Sequence, residues 1–388
     1  MVKRLLCMLF AYIIIASICF TVSAVKAEDF LIEEDEQIMP DPLRQARILM
    51  RWMTDEEKIG QMIMVSPEDL TGEARTVRLM ETGAFEKLPA GGVIIYGQNI
   101  ETDDQLKALV QEIKDSAQNA GLYTPFIAVD EEGGTVARVA HKLGGVYVPS
   151  AEETGKTKDA QQAYRNGKVI GEYLHTLGFN LDLAPVADVM ISSAPELESR
   201  SFGEDAEVVS DMALEMAKGL KEEGIIPCFK HFPGHGAVSR NAHNVPVSHG
   251  RTLAEMQVLD FVPFAAAIEN GAEMIMMSHL KALNVDREYP ASLSYVLVTE
   301  ILRNALHFEG VVICDALRMD AIREEYSIEK AAVLAVNAGV DILLAPDDGQ
   351  KVYQALQKAM ENGTVSRERI DESVARILAL KIKNGLIQ

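Results

Sequence analysis

The chain has 388 residues, of which 48% are hydrophobic, 24% charged and 6% aromatic. That composition is ordinary for a globular protein and excludes disordered, collagen-like and polytopic membrane classes. The formal net charge is −21, from 37 Lys+Arg against 58 Asp+Glu, which argues against nucleic acid or an anionic membrane surface as a partner, since each needs a basic footprint.

The N-terminus reads Met1-Val2-Lys3-Arg4, then an apolar run from Leu5 to Phe20, then small residues at Ser23-Ala24 and Val25-Lys26-Ala27. A charged start, an apolar middle and a small-residue cleavage site predict a secretory signal over residues 1–27, cut after Ala27 or Ala24. The protein is therefore expected to be exported, either secreted or held at the cell envelope. Leu5–Val25 is also long enough to span a bilayer uncleaved, so an N-terminal anchor stays open. Cys19 follows Ile18, where a lipoprotein signal would carry a small residue. Removing residues 1–27 takes away three cations (Lys3, Arg4 and Lys26) and no acid, so −21 becomes −24. Only Cys228 and Cys314 then remain. Two cysteines are no disulfide framework, and the domain predicted over residues 28–388 must rest on a large apolar core.

Across that domain a short apolar run, a polar residue and a helical stretch recur. The runs are Met62–Val65, Gly92–Tyr96, Phe126–Val129, Phe179–Leu183, Ile226–Phe229, Met274–Met277, Val311–Cys314 and Ile342–Leu344. Nearly continuous apolar runs predict parallel strands covered on both faces, and amphipathic segments such as Asp103–Ala117 and Ala160–Leu177 supply the covering helices. Eight such units predict an α/β fold, a single (β/α)8 TIM-like barrel. Ser66, Gln98-Asn99, Asp130, Asp188, Lys230-His231, Ser278-His279, Asp315 and Asp347 follow the runs. Barrel enzymes carry their active sites at this carboxyl end of the strands.

Four of the eight histidines fall in residues 231–249. His231 and His235 have the spacing of a zinc pair on one helical face, but Pro233 and Gly234 between them make a helix there unfavourable. No metal and no cofactor is expected.

Lys230-His231-Phe232-Pro233-Gly234-His235-Gly236 resembles the signature of the β-N-acetylhexosaminidase branch of glycoside hydrolase family 3. Other segments resemble that family in the same order: Thr54–Met62, Ala128–Gly134 with Arg138, Ala184-Pro185-Val186 with Asp188, Arg200–Gly203, Pro290–Ser294, Cys314–Leu317 with Met319, and Arg369–Ser373. The likeness runs from about Asp41 to Leu386. It implies a retaining glycosidase that removes terminal β-linked N-acetylglucosamine, with glycans containing that sugar, such as peptidoglycan fragments, as partners.

Retaining hydrolysis needs a carboxylate nucleophile and a proton donor. The resemblance implies Asp315 as nucleophile; read alone, Asp315 is equally a helix N-cap before Ala316-Leu317. The chain ends soon after its eighth unit, so the resemblance puts the acid/base on a barrel loop, at His243, whose imidazole titrates near neutrality. The residue that orients this histidine is Asp in the family and Asn241 here, with Ala242 and Ala237 as further departures. Asn can orient an imidazole but cannot offset imidazolium charge. Asp130, Arg138, Arg200, Lys230 and His231 match the family's sugar contacts. Met277 and Met319 read as core or pocket wall. Other readings left open are β-glucosidase or β-xylosidase specificity, a sugar-binding relative impaired at Asn241, and a metal-dependent barrel hydrolase.

Overall fold

All eight apolar runs become parallel strands. The computed structural model describes residues 41–79, 83–191, 197, 199–238 and 246–387; the predicted export signal lies outside them. In chain order the strands are β1 (Ile63–Val65), β2 (Gly92–Ile94), β3 (Phe126–Val129), β4 (Glu131–Gly133), β5 (Val136–Ala137), β6 (Leu181–Asp182), β7 (Ile226–Pro227), β8 (Phe229–Phe232), β9 (Ser248–His249), β10 (Met274–Met277), β11 (Lys281–Ala282), β12 (Val311–Cys314) and β13 (Leu343–Leu344). Both faces of β1, β2, β3, β10, β12 and β13 are buried, which is why their sequences are continuously apolar rather than alternating.

The predicted closed eight-strand ladder is not what the hydrogen bonds form. The strands make a six-stranded parallel sheet, β13-β1-β2-β3-β6-β7, and a three-stranded one, β12-β10-β8. The sheets meet at two seams through single bridges, Val186 to Lys230 and Ile313 to Ile342. At the first seam Pro185 and Pro227 have no N–H to give a ladder, and the contact is carried by Cys228 N to Ala184 O at 2.8 Å and Ala187 N to Lys230 O at 2.6 Å. At the second, the Asp341 carboxylate accepts the Val312 N–H at 2.9 Å, and β13 is two residues long. The architecture is barrel-like α/β with interrupted ladders.

Helices cover the outside as the pattern requires. Asp103–Asn119 is capped by Thr102 and buries Leu106, Leu109, Val110 and Ile113, one face of a 3.6-residue period. Asp55–Gln61 starts at a full capping box between Thr54 and Glu57, satisfying two orphan N–H groups. Helices Ala160–Thr176 and Ala206–Glu222 approach so closely that a Cβ on Gly167 would lie 2.1 Å from the Met216 carbonyl oxygen. Among the described residues, no helix is long and apolar enough to cross a membrane.

Two polar clusters close the amino-terminal end. Lys381, fully buried, donates to Gln61 Oε1 at 2.7 Å and Gly91 O at 2.9 Å, and burial pulls its pKa down to about 7. Asp341, also fully buried, gathers Arg303, Arg369 (2.9 Å) and Arg376 (3.2 Å). Burial opposes its ionisation, but the three guanidinium groups outweigh that and hold its pKa below the ordinary value. Arg303 is in turn pulled down to about 10 by burial, with Asp341 opposing. Replacing Asp341 would strand buried cations, so Asp341→Ala is expected to cost about 3–5 kcal/mol, seen as a lowered melting temperature in calorimetry; an unchanged melting temperature would contradict this account.

Candidate active site

The carboxyl ends of β2, β3, β8, β12 and β13 open on one cavity of about 540 Å³. Of the candidate site residues, Asp130, Arg138, Arg200, Lys230, His231 and Asp315 all line it. Asn241 and His243 lie outside the described residues. Met319 is part of the wall, with Met276 rather than Met277 beside it.

The strand β3 delivers Asp130, and the chain then folds back as the antiparallel pair β4-β5. That reversal requires left-handed backbone at Gly133 and Gly134, φ +88° and +57°, and at Gly134 a Cβ would meet Ser150 Cβ at 2.5 Å. The hairpin sends the three consecutive acids after β3 to different tasks. Asp130 accepts from Lys230 Nζ at 2.7 Å. Glu131 turns to the helix Arg138–Leu143 and accepts the N–H groups of Val139 (2.7 Å) and Ala140 (3.0 Å), as carboxylates at helix N-termini do. Glu132 is buried and takes Arg200 in a two-point grip, 2.8 Å at each oxygen, while its Oε1 also lies 2.7 Å from Lys230 Nζ.

These contacts fix charge states. Burial disfavours ionisation of Glu132, yet Arg200 and Lys230 push its pKa well below the carboxylate range. Burial likewise opposes the Lys230 ammonium, and Asp130 and Glu132 more than reverse it. The pairing thus keeps both cations charged in a nearly dry setting. The described carboxylate partner of Arg200 is Glu132, a residue the sequence did not single out because a run of acids after a strand shows no direction.

His231 is held from behind. Its Nδ1 is 2.7 Å from Asp188 Oδ2, and Asp188 also accepts the backbone N–H groups of His231 (3.2 Å) and His235 (2.6 Å). Burial works against the Asp188 charge, but the two histidines and these N–H groups outweigh it and keep its pKa low. The carboxylate accepts, so His231 Nδ1 carries the hydrogen and Nε2 faces away from Asp188. His231 lies on β8 and His235 beyond it, not on one helical face. Among the described residues no three His, Cys, Asp or Glu side chains gather as a metal ion would need.

Asp315 follows β12; its N–H donates to Met277 O at 2.8 Å, and its Oδ1 accepts the Ala316 N–H at 2.7 Å. It is not an N-cap, because the next helix, Asp320–Arg323, begins after Met319. Beneath it lies His279, which burial keeps neutral by lowering its pKa. Its Nε2 donates to Ala316 O at 3.0 Å, so Nδ1 accepts from the Ser292 hydroxyl at 2.7 Å. This pair fixes the peptide next to the Asp315 carboxylate.

Residues 54–380 match the sequence profile described as "Glycosyl hydrolase family 3 N terminal domain". The chain belongs to glycosyl hydrolase family 3. It is 31% identical over 370 residues to Beta-hexosaminidase A of Pseudoalteromonas piscicida, covering 85% of this chain and 61% of that protein. It is also 31% identical over 343 residues to Beta-hexosaminidase LpqI of Mycobacterium tuberculosis, covering 84% of this chain and 86% of the relative. Among solved structures, a family 3 β-N-acetylglucosaminidase from Paenibacillus sp. superposes with a TM-score of 0.82 at 31% identity, over 86% of this chain and 63% of that one. The chain thus spans less than two thirds of the Pseudoalteromonas and Paenibacillus proteins and most of the mycobacterial one.

The carboxyl beside Asp130 has a measurable signature. Burial pushes Glu131 up to about 7, only partly opposed by the two N–H donors, and burial raises neighbouring Asp182 as well. A pKa higher in the folded state means that stability is full below about pH 4.5 and declines as pH rises to about 7. Glu131→Gln removes one such group, so melting temperature against pH is expected to fall less steeply across that window. A slope equal to that of the unaltered protein would refute the assignment.

Proposed function

We propose that the chain is a retaining β-N-acetylglucosaminidase of family 3, removing terminal β-linked N-acetylglucosamine. The observation that carries the reading is Asp315, on the strand-end peptide fixed by His279, opening into the same cavity as Asp130, Lys230, Arg200 and His231. The family membership and the β-hexosaminidase names of its relatives support the sugar.

In this reading Asp130 accepts hydrogen bonds from sugar hydroxyls, held in place by Lys230. Arg138 and Arg200 donate to the same ring, and His231 Nε2, with the ring hydrogen held on Nδ1 by Asp188, accepts from one of its hydroxyls. The Asp315 carboxylate attacks the anomeric carbon as the bond to the aglycone oxygen breaks, and His243 gives that oxygen its proton. Water then attacks the glycosyl ester, His243 takes the water proton, and the Asp315 carboxylate leaves. No cofactor takes part. Fragments of peptidoglycan, met by an exported enzyme, are the proposed source of substrate, and the signal-like segment 1–27 supports export. A β-glucosidase or β-xylosidase specificity is the alternative within the same chemistry.

Pure protein is expected to hydrolyse an aryl β-N-acetylglucosaminide in preference to the matching glucoside and xyloside, and Asp315→Asn to lower kcat by 10³-fold or more, on the order of 4 kcal/mol in barrier. Undiminished turnover in that variant would sink Asp315 as nucleophile.

One residue favours a second reading, a sugar-binding relative with weak catalysis. Asn241 stands where the family has an acid, and a neutral amide cannot stabilise the imidazolium that His243 becomes. Asn241→Asp is expected to raise kcat by roughly tenfold or more through this charge; a kcat that stays level would show that this partnership does not limit the reaction.

A further inference from the structure

The cavity is more cationic than the protein around it. A chain of net charge −21 lines this one cavity with five permanent cations, Arg138, Arg200, Lys230, Arg318 and Arg323, against three carboxylates, Asp130, Asp315 and Asp347. Most of the cations are spoken for. Lys230 is shared by Asp130 and Glu132, Arg200 grips Glu132, and Arg323 pairs with Asp347 at 2.9 Å. Among the described residues Arg138 and Arg318 form no salt bridge. Arg138 arises from the hairpin after β3, on the sugar-holding side. Arg318 does not.

Arg318 lies three residues after Asp315, on the loop following β12. Its guanidinium carbon stands 4.1 Å from the centroid of the Tyr96 ring. Tyr96 follows β2, and β13 and β1 lie between β12 and β2 in the strand order. The contact therefore reaches across two strand ends and roofs one side of the mouth. Tyr96 itself is positioned by its N–H bond to Asn99 Oδ1 at 2.9 Å. Burial raises its hydroxyl pKa far above the ordinary value, so the ring stays neutral and its face remains a partner for a cation. A guanidinium used through its face keeps its N–H donors for partners in its plane.

The electrostatic consequence concerns the leaving group. Arg318 is half-buried and still partly hydrated. A neutral aglycone seated beside it would replace that water only with hydrogen bonds to uncharged oxygens and would leave the charge without a counter-ion. A carboxylate there would replace the water with a charge-assisted, two-point hydrogen bond. Asp130, Lys230 and Arg200 take the other side, from β3, β8 and the loop after β6. Resting on the proposed function, we infer that Arg318, stacked on Tyr96, is a specificity-determining residue that selects an aglycone bearing a carboxylate.

The test is a ratio. The unaltered protein and Arg318→Gln are assayed with two substrates that differ in charge and by one methyl group: N-acetylglucosaminyl-β-1,4-N-acetylmuramic acid, which carries a lactyl carboxylate, and its methyl ester. The expected result is a kcat/KM at least tenfold higher for the acid, and a ratio that falls about ten- to a hundredfold in Arg318→Gln. Arg318→Lys should retain part of the preference, since it keeps the charge and loses the two-point geometry. Raised salt should erode the preference of the unaltered protein. Equal rates on acid and ester, or a variant that slows both alike, would overturn the inference, the latter marking Arg318 as packing for Tyr96 only. If aryl N-acetylglucosaminide and both disaccharides are left intact, the proposed function itself fails and takes this inference with it; turnover without charge preference removes this inference alone.

Discussion

Glu132 is buried at the meeting point of Lys230 and Arg200, and the geometry of the cavity follows from that. Two cations so close repel strongly where water is scarce. With Glu132 between them, the hairpin after β3, the strand β8 and the loop carrying Arg200 are tied to one carboxylate. Lys230 then has a second anion to reach, Asp130, and fixes it at the cavity wall. Without Glu132, Lys230 would face water exclusion with one partner and Arg200 with none of its present grip. The residue that organises this side of the cavity is thus one that does not itself line it.

A similar arrangement holds the end of the same strand, β8. Asp188 has no exposed surface and collects one imidazole and two backbone N–H groups. It fixes the stem of the loop that follows β8 while committing His231 to one tautomer. Both carboxylates illustrate the same physics: an acid far from solvent remains ionised only where several donors converge. Asp182 and Glu131, with fewer such donors, shift the opposite way. Neighbouring acids behind one cavity wall therefore differ in pKa because paired cations outweigh burial at Glu132, while burial outweighs two backbone N–H donors at Glu131.

Much of this was legible in the sequence. Runs such as Met274–Met277 and Val311–Cys314 coincide with their strands because double-sided burial leaves no polar position to blur the ends. Of the polar residues after the runs, Asp130, Lys230, His231, Asp315 and Asp347 line one cavity, because parallel strands all point their carboxyl ends the same way. What escaped was interruption and direction. Pro185 and Pro227 break a seam that apolar character alone would close, and Asp341 diverts a ladder donor from a distance of 29 residues along the chain. Asp130, Glu131 and Glu132 read alike as letters and separate only once the hairpin sets which way each points. The cation–π contact between Tyr96 and Arg318 joins residues far apart in the chain, and neither carries a motif. Asn241 and His243 rest on resemblance and lie outside the described residues.

The two thiols of the domain add a separate consequence. Cys228 sits between β7 and β8, and Cys314 ends β12; both are fully buried. Burial drives the Cys228 thiol far up and the Cys314 thiol to about 12, so almost no thiolate exists at neutral pH to meet an oxidant or an alkylating reagent. Each is placed so that reagent access requires parting strands of the parallel sheets. The rate at which these sulfurs become chemically reactive is therefore a clock for opening of the barrel wall, built into the native sequence and readable without any added label.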